Sequence, residues 1–175
     1  MELTFARDGA ALDARLDAFL AERLERNIAA TLLAQIRSGR LSPAGGLFAW
    51  ATIPAGAIEF FAMRTPPWPL LVTELQPQRA EQLVERWLAE DPMLPGVSAV
   101  PDTAQAVARA WQRTTGGRWG GRRDALHALR EVIEPPWPAG DLRTAVADDR
   151  DLLVTWERAF VAEAGRRSSS NKRKT

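Results

Sequence analysis

The chain has 175 residues, 46% of them hydrophobic and 26% charged, the balance of a globular protein rather than a disordered or fibrous one. Cysteine is absent and His127 is the single histidine, which excludes disulfides, thiolate metal sites, cysteine nucleophiles and multi-histidine sites. No apolar run approaches the ~20 residues of a membrane span and no signal peptide opens the chain, so we expect a soluble, cytoplasmic protein without membrane contact.

The charge is distributed unevenly along the chain. Residues 166–175 hold five of the 23 basic residues and no acid, which leaves 18 basic against 22 acidic residues before them, a net charge of −4. A mildly acidic body has no overall field to attract a polyanion, so we do not expect nucleic acid as a partner. The tail is polar and cannot bury apolar surface, and it is predicted to be disordered.

The first forty residues predict one strand and two helices. Residues 2–6 alternate polar and apolar side chains, as a short strand does. Asp8 is placed to cap a helix whose apolar stripe is Leu12, Leu16, Phe19, Leu20 and Leu24. A second stripe begins after a break at Asn27 and ends at Gly39.

A change to strand-like patterns predicts a hairpin at residues 47–53 and 57–63, with a turn at 54–56. Residues 70–75 follow as a strand, and Pro77 opens a helix that ends at Asp91 and buries Ala80, Leu83, Val84, Trp87 and Leu88. Residues 97–100 predict a brief strand. Asp102 or Thr103 then caps a helix that Gly116 closes, with Ala106, Val107, Ala110 and Trp111 facing inward.

The last third of the chain predicts fewer elements. Residues 122–133 are ambiguous between helix and strand, and the recurrence of Leu126, Leu129 and Val132 every three positions favours a helix on pattern alone. After a Pro-rich linker, residues 142–147 predict a strand, and 148–164 a helix that buries Leu152, Leu153, Trp156 and Phe160. The elements together indicate an α/β (α+β) protein with a mixed sheet flanked by helices.

Four segments carry possible chemistry, and each has a structural alternative. Residues 114–123 could cradle a phosphate but lack the ending of a P-loop, so a surface loop is favoured. No serine, cysteine or carboxylate lies at a spacing from His127 that indicates a catalytic partner, so a structural role is favoured for this histidine. Asp148, Asp149 and Asp151 fit a helix cap better than a calcium loop. Trp68 and Trp137 lie in Pro-Pro-Trp-Pro runs that suit rigid turns or groove ligands. We assign no catalytic, cofactor-binding or metal-binding residue.

Several of these segments also resemble one family. Two helices after the first strand and then a three-strand meander look like the GNAT superfamily of N-acetyltransferases. The local sequence is similar to a bacterial two-part type, most clearly in residues 140–145 (GDLRTA), 149–153 (DRDLL) and 156–160 (WERAF). Weaker similarities lie at residues 66–71, 95–97 and 108–116. The resemblance also favours a strand over residues 125–132.

The resemblance implies a GNAT-like (acyl-CoA N-acyltransferase) fold, incomplete or degenerate. It divides the chain into an N-terminal GNAT-like domain at 1–136, a linker at 137–140, the first strand and helix of a second GNAT domain at 141–165, and the tail at 166–175. In the complete protein an acetyl group would pass from acetyl-coenzyme A to an amine. The partner of this chain would be the C-terminal GNAT half or a second copy.

The family holds the pyrophosphate of acetyl-coenzyme A in a loop of pattern Gln/Arg-x-x-Gly-x-Gly/Ala between the fourth strand and a helix. The corresponding residues here are 76–81 (QPQRAE), with Arg79 and Glu81 at the glycine positions. This predicts a non-catalytic portion of an acetyltransferase that binds no cofactor itself. An acetyltransferase active as it stands, and a small interaction module using the Trp-Pro runs or the basic tail, are the alternative hypotheses.

Overall fold

Alternating apolar side chains in the first hundred residues build a five-stranded sheet. Its strands run in the order β1 (Glu2–Ala6), β2 (Leu47–Thr52), β3 (Ile58–Arg64), β4 (Leu70–Val72) and β5 (Val97–Ser98). The first three pairings are antiparallel and β4 pairs with β5 in parallel. The predicted hairpin is confirmed, with Trp50 opposite Phe61 and a register shift near Thr52.

Five helices accompany these strands in the part of the chain that the computed structural model describes, which is residues 2–9, 12–125, 127, 129–134, 136 and 140–170, with side chains as far as residue 163. They are α1 (Arg15–Ala21), α2 (Asn27–Arg37), α3 (Ala80–Glu90), α4 (Pro101–Thr115) and α5 (Arg150–Ser170). Single 3-10 turns at Leu24–Arg26, Pro77–Arg79 and Ala147–Asp149 precede α2, α3 and α5. The chain divides into two units, residues 1–127 and 128–175.

The first unit holds its core on both faces of the sheet. Phe48, Phe61 and Met63 point to the face that α1 and α2 cover. Phe60 and Ala62 point to the other face, where they pack with residues of α3 and α4. Alternate side chains of β3 therefore pack into two hydrophobic layers, one on each face of the sheet. The mixed α/β class predicted from the sequence is confirmed.

Two predicted helix starts in this unit are wrong. The first helix begins at Arg15, with Ala14 before it, so Asp8 is not its cap, and Leu24 lies outside the stripe and is exposed. Helix α4 begins at Pro101, because proline fits the first turn without a free N–H. Thr103 is buried there, and its hydroxyl accepts a hydrogen bond from the backbone N–H of Leu75 at 3.0 Å.

The second unit departs further from the sequence prediction. Residues 141–146 form no strand, and Leu142 is 99% exposed, because no neighbouring strand supplies the hydrogen bonds of a ladder. The described residues of 125–132 are also outside helix and strand. The predicted last helix forms, but it extends to Ser170, and Trp156 and Phe160 are 60% and 68% exposed rather than buried. Of the predicted linker at 137–140, the structure describes Gly140 alone. Of the tail at 166–175, it describes residues 166–170, which continue α5.

In the described part of the chain, none of the helices has the length and apolar character that crossing a membrane requires.

Candidate functional site

The carboxyl end of β4 is the first place to look for a site. Ligands of open α/β sheets commonly bind beyond the carboxyl ends of parallel strands, and β4 and β5 form the parallel pair. Here the backbone N–H of Thr73 donates to the carbonyl of Phe61 at 2.9 Å, and that of Leu75 donates to Thr103. These amide groups are already satisfied within the chain and are not free to hold a ligand.

Residues 76–81, which join β4 to α3, do not fit the pyrophosphate of acetyl-coenzyme A. Arg79 occupies the first glycine position, and its Nε donates to Glu59 at 3.2 Å. Glu81 occupies the second, and its carboxylate pairs with Arg113 at 2.8 Å. Pro77 has no N–H to donate. The loop therefore lacks both glycines that would let a phosphate approach its backbone N–H groups, and Glu81 adds a negative charge at this helix start.

A cluster of arginines and carboxylates lies beside this segment, centred on Arg26. The Arg26 side chain is buried, its Nε donates to Glu74 at 2.9 Å, and its guanidinium lies 3.6 Å above the ring of Phe19. Its Nη1 donates to Glu22 and to the backbone carbonyl of Phe19. Arg26 thus binds the last turn of α1 to the end of β4, and its role is structural.

Glu74 completes this cluster as a charged group. Burial alone would raise the pKa of Glu74, but the hydrogen bond from Arg26, a backbone hydrogen bond and the charges of Arg26 and Arg23 outweigh it. The net effect is a pKa below the ordinary value of a glutamate. The carboxylate is therefore held ionised and is not suited to act as a general base near neutral pH.

A cavity of about 410 Å³ lies between α1 and the start of β3. We call it the α1–β3 cavity. Its charged lining residues are Arg15, Glu22, Arg26 and Glu59, and its apolar walls are Ala18, Phe19, Ala57 and Ile58. Oε1 of Glu59 receives the hydrogen bond from Arg79, whereas Oε2 is buried and has no hydrogen-bond partner. This is the one lining group with unused buried hydrogen-bonding capacity among the described residues.

A second depression of similar volume lies along α4 and is lined by Asp102, Gln105, Arg109 and Arg113 with Pro77 and Ala106. Its polar lining comes mainly from one helix face, where Asp102, Gln105 and Arg109 are exposed. None of the polar residues that line this depression is buried, so it lacks a fixed polar group that would orient a ligand.

The other segments singled out from the sequence do not meet at a site. Gly116 ends α4 with a φ of 71°, as a helix-closing glycine does, and residues 117–125 continue as exposed or half-buried irregular chain. His127 is exposed. Asp149 accepts hydrogen bonds from Arg143 and from the backbone N–H of Val146, which lower its pKa and fix the start of α5. Trp68 is exposed in a turn, and Trp137 lies outside the described residues.

Sequence reasoning missed Glu59, Glu74 and Arg26. Glu59 carried a usable signal, because it is the single charged residue in the apolar run at 57–63 (AIEFFAM). An acid in such a run is seldom buried without a partner, which marks it for inspection. Arg26 and Glu74 are 48 positions apart and had no sequence signal. Among the described residues, no group of three or more histidine, aspartate or glutamate side chains could hold a metal ion.

Comparison with known proteins adds no relative: neither a family model, nor a curated protein, nor a solved structure matches this chain.

Proposed function

We propose that this chain is a non-catalytic GNAT-like portion of an N-acetyltransferase, whose role is to complete the fold of a catalytic domain of the same superfamily. The acetyl transfer itself would take place in that domain, from acetyl-coenzyme A to an amine. The proposal begins from the similarity of residues 140–160 to the start of such a domain.

The order of elements supports the GNAT-like part of the proposal. One strand, two helices and an antiparallel meander of three strands precede α3, as in the superfamily that the sequence resembles. The loop at 76–81 also lies where the resemblance places the pyrophosphate loop, between the fourth strand and a helix. An α/β sheet between two helix layers hosts many activities, so the fold alone does not carry the proposal.

The single observation that carries the non-catalytic part of the proposal is the loop at 76–81, in which other residues replace both glycines. Arg79 and Glu81 stand at the two positions where glycines would admit a phosphate, and they pair with Glu59 and Arg113. The backbone N–H of Arg79 already donates to the carbonyl of Gln76 at 2.8 Å. The carboxylate of Glu81 would in addition repel the anion.

The exposed face of α5 supports the partner-domain part. Leu152, Leu153, Trp156 and Phe160 are all exposed on one helix, although their spacing is that of a buried stripe. These residues belong to the segment that resembles the start of a catalytic domain. We propose that such a domain covers this face.

Calorimetric titration with acetyl-coenzyme A tests the proposal. The purified chain is expected to give no binding at cofactor concentrations up to about 1 mM, because the loop lacks both glycines and Pro77 has no N–H to donate. A dissociation constant in the micromolar range would overturn the non-catalytic proposal, since another loop would then hold the pyrophosphate.

A double variant sharpens this test. Arg79→Gly with Glu81→Gly gives the loop sequence QPQGAG, which restores both glycines. We expect it to bind acetyl-coenzyme A with a dissociation constant below about 1 mM, because both glycine positions are open and the negative charge of Glu81 is gone. This gain is expected although the variant also loses the positive charge of Arg79. Circular dichroism confirms that the variant is folded. A folded variant without any gain would contradict the claim that these two side chains block the loop.

A further inference from the structure

A basic segment without acids runs along α4 and through the loop that follows it. Residues 103–123 hold five arginines and no aspartate or glutamate, which leaves 13 basic against 22 acidic residues in the rest of the first 165. The net charge of −4 in that range is thus an average over an acidic majority and one basic stretch. The exposed side chains of residues 109–123 form what we call the α4 arginine surface, with the arginines Arg109, Arg113, Arg118, Arg122 and Arg123.

We propose that the α4 arginine surface binds single-stranded nucleic acid. Arg113 pairs with Glu81 at 2.8 Å, and Arg122 pairs with Asp124 at 3.0 Å. The other three arginines are exposed, and no described acid forms an ion pair with them. Their guanidinium groups are therefore available, and a guanidinium binds a phosphate through two parallel hydrogen bonds.

The loop after α4 lies against the last turns of that helix. A Cβ atom at Gly117 would stand 2.2 Å from Cη2 of Trp111, so glycine is required where the chain passes this indole. Two residues further on, Nε1 of Trp119 donates to the side-chain oxygen of Gln112 at 3.2 Å. Gln112 follows Arg109 by three residues on α4 and is therefore its neighbour on the helix surface. Trp119 and Arg109 thus lie on the same side of α4.

Trp119 distinguishes a nucleic acid from other anionic partners. This residue is 44% exposed, and it is the single large apolar residue between positions 112 and 125. An anionic membrane takes up several apolar side chains of a bound segment, which this stretch lacks. An unpaired base stacks on one indole ring while its phosphates bind arginines, and the surface offers both groups. The bases of a duplex are already stacked on one another, so a single strand fits better.

Fluorescence anisotropy of a labelled oligouridylate of about 12 nucleotides tests the proposal on the full chain, since single-strand sites span roughly 4–16 nucleotides. Saturable binding is expected, with an affinity that falls as salt is added. Inorganic polyphosphate and polyglutamate, which carry negative charge without bases, should compete at least about tenfold more weakly at equal charge concentration. No saturable binding at about 50 mM salt, or competition by either polymer as strong as that by unlabelled oligouridylate, would overturn the proposal.

A triple variant of the unpaired arginines locates the contact. Arg109→Gln, Arg118→Gln and Arg123→Gln together should weaken oligouridylate binding by about tenfold or more at about 100 mM salt. The plot of log affinity against log salt should also become less steep by about 2, because each phosphate contact to a single strand contributes roughly 0.7. Circular dichroism confirms that the variant is folded, as expected for three exposed side chains. A folded variant that binds as the unmodified chain does would refute the assignment.

The basic tail supplies the matched control. Arg166→Gln, Arg167→Gln and Arg173→Gln together remove the same charge and should change the affinity by less than about threefold. A loss in this variant equal to or larger than that of the first would place the binding in the tail and overturn the proposal.

Variants of Trp119 test whether bases are bound as well as phosphates. Trp119→Ala should weaken binding by about tenfold, whereas Trp119→Phe keeps an aromatic ring and should bind within about threefold of the unmodified chain. Trp68→Ala, at an exposed tryptophan outside the α4 arginine surface, is the control and should leave the affinity unchanged. If Trp119→Ala bound oligouridylate as tightly as the unmodified chain, the surface would hold a polyanion of any kind, and the assignment to nucleic acid would be refuted.

Discussion

At the scale of single residues, the ion pair of Glu74 with buried Arg26 makes folding stability depend on pH. Arg26 holds the pKa of Glu74 below its ordinary value, so the pair stabilises the fold fully above the unfolded pKa of about 4.3. That stabilisation is lost as the pH falls through the lower pKa of the folded state. Glu74→Gln should therefore cost about 1–3 kcal/mol at pH 7 and progressively less below about pH 4.

Urea denaturation between pH 7 and pH 3 measures this effect. The matched control is Glu81→Gln, whose pair with Arg113 is exposed and should be worth less than about 1 kcal/mol. If the cost of Glu74→Gln were the same at pH 3 and pH 7, the charge of Glu74 would not be what stabilises Arg26.

Trp87 supplies a second prediction at this scale. It is fully buried in the core, and its indole Nε1–H has no hydrogen-bond partner in the structure. Trp87→Phe removes that unsatisfied donor while keeping an aromatic ring next to Phe5, so the two effects offset and we expect a loss of less than about 1.5 kcal/mol. Trp87→Ala keeps no ring and should cost about 3–5 kcal/mol in the same denaturation experiment. Equal losses would show that the indole ring packs in a way that phenylalanine cannot replace.

At the scale of elements, α3 and α5 have similar apolar patterns and opposite surroundings. Leu83 of α3 is fully buried, whereas Trp156 and Phe160 of α5 are exposed. Leu83→Ala should therefore cost about 2–5 kcal/mol. Trp156→Ser and Phe160→Ser should each change the free energy of unfolding by about 0.5 kcal/mol or less. A loss above about 2 kcal/mol in either α5 variant would mean that this helix is covered by another surface in solution.

The sequence pattern correctly predicted those helices and strands whose formation depends on residues close together in the chain. The hairpin of β2 and β3 was predicted from its alternation and its turn at 54–56, and α3 from its stripe and Pro77, since both signals lie within a few residues of the structure that they specify. Residues 142–147 have the composition of a strand but form none, because a strand needs a partner that the segment does not encode. The prediction that α5 is buried was wrong for the same reason, because the pattern shows that the helix has an apolar face but does not show what covers that face.

The candidate site was less predictable than the fold. The absence of glycine from the loop at 76–81 could be predicted from the sequence, because a motif specifies which positions must be glycine. The pairing of Glu59 with Arg79 and of Arg26 with Glu74 arises only when β3, β4 and the start of α3 meet in the sheet. Such contacts between distant positions leave no periodic signal in one sequence.

At the scale of the whole molecule, burial is confined to the first unit. Among the described side chains, every buried one lies between Leu3 and Ala110, and both hydrophobic layers are built from that range. A fragment ending at His127 keeps all of these contacts. It should therefore unfold cooperatively, with a melting temperature within a few degrees of the full chain, because the loss of exposed residues removes little buried apolar area.

Differential scanning calorimetry of the fragment and the full chain makes the comparison, with a chain ending at Gly165 as the intermediate length. Both shortened chains should give one transition near that of the full chain, since none of the described side chains beyond residue 127 is buried. A fall of about ten degrees or more in the fragment alone would show that the segment between 128 and 165 stabilises the first unit through contacts made in solution. A similar fall already at Gly165 would assign that stabilisation to the basic tail. In that case the net charge of −4 in the preceding 165 residues identifies acidic surface groups as its first candidate partners, and added salt should weaken the effect.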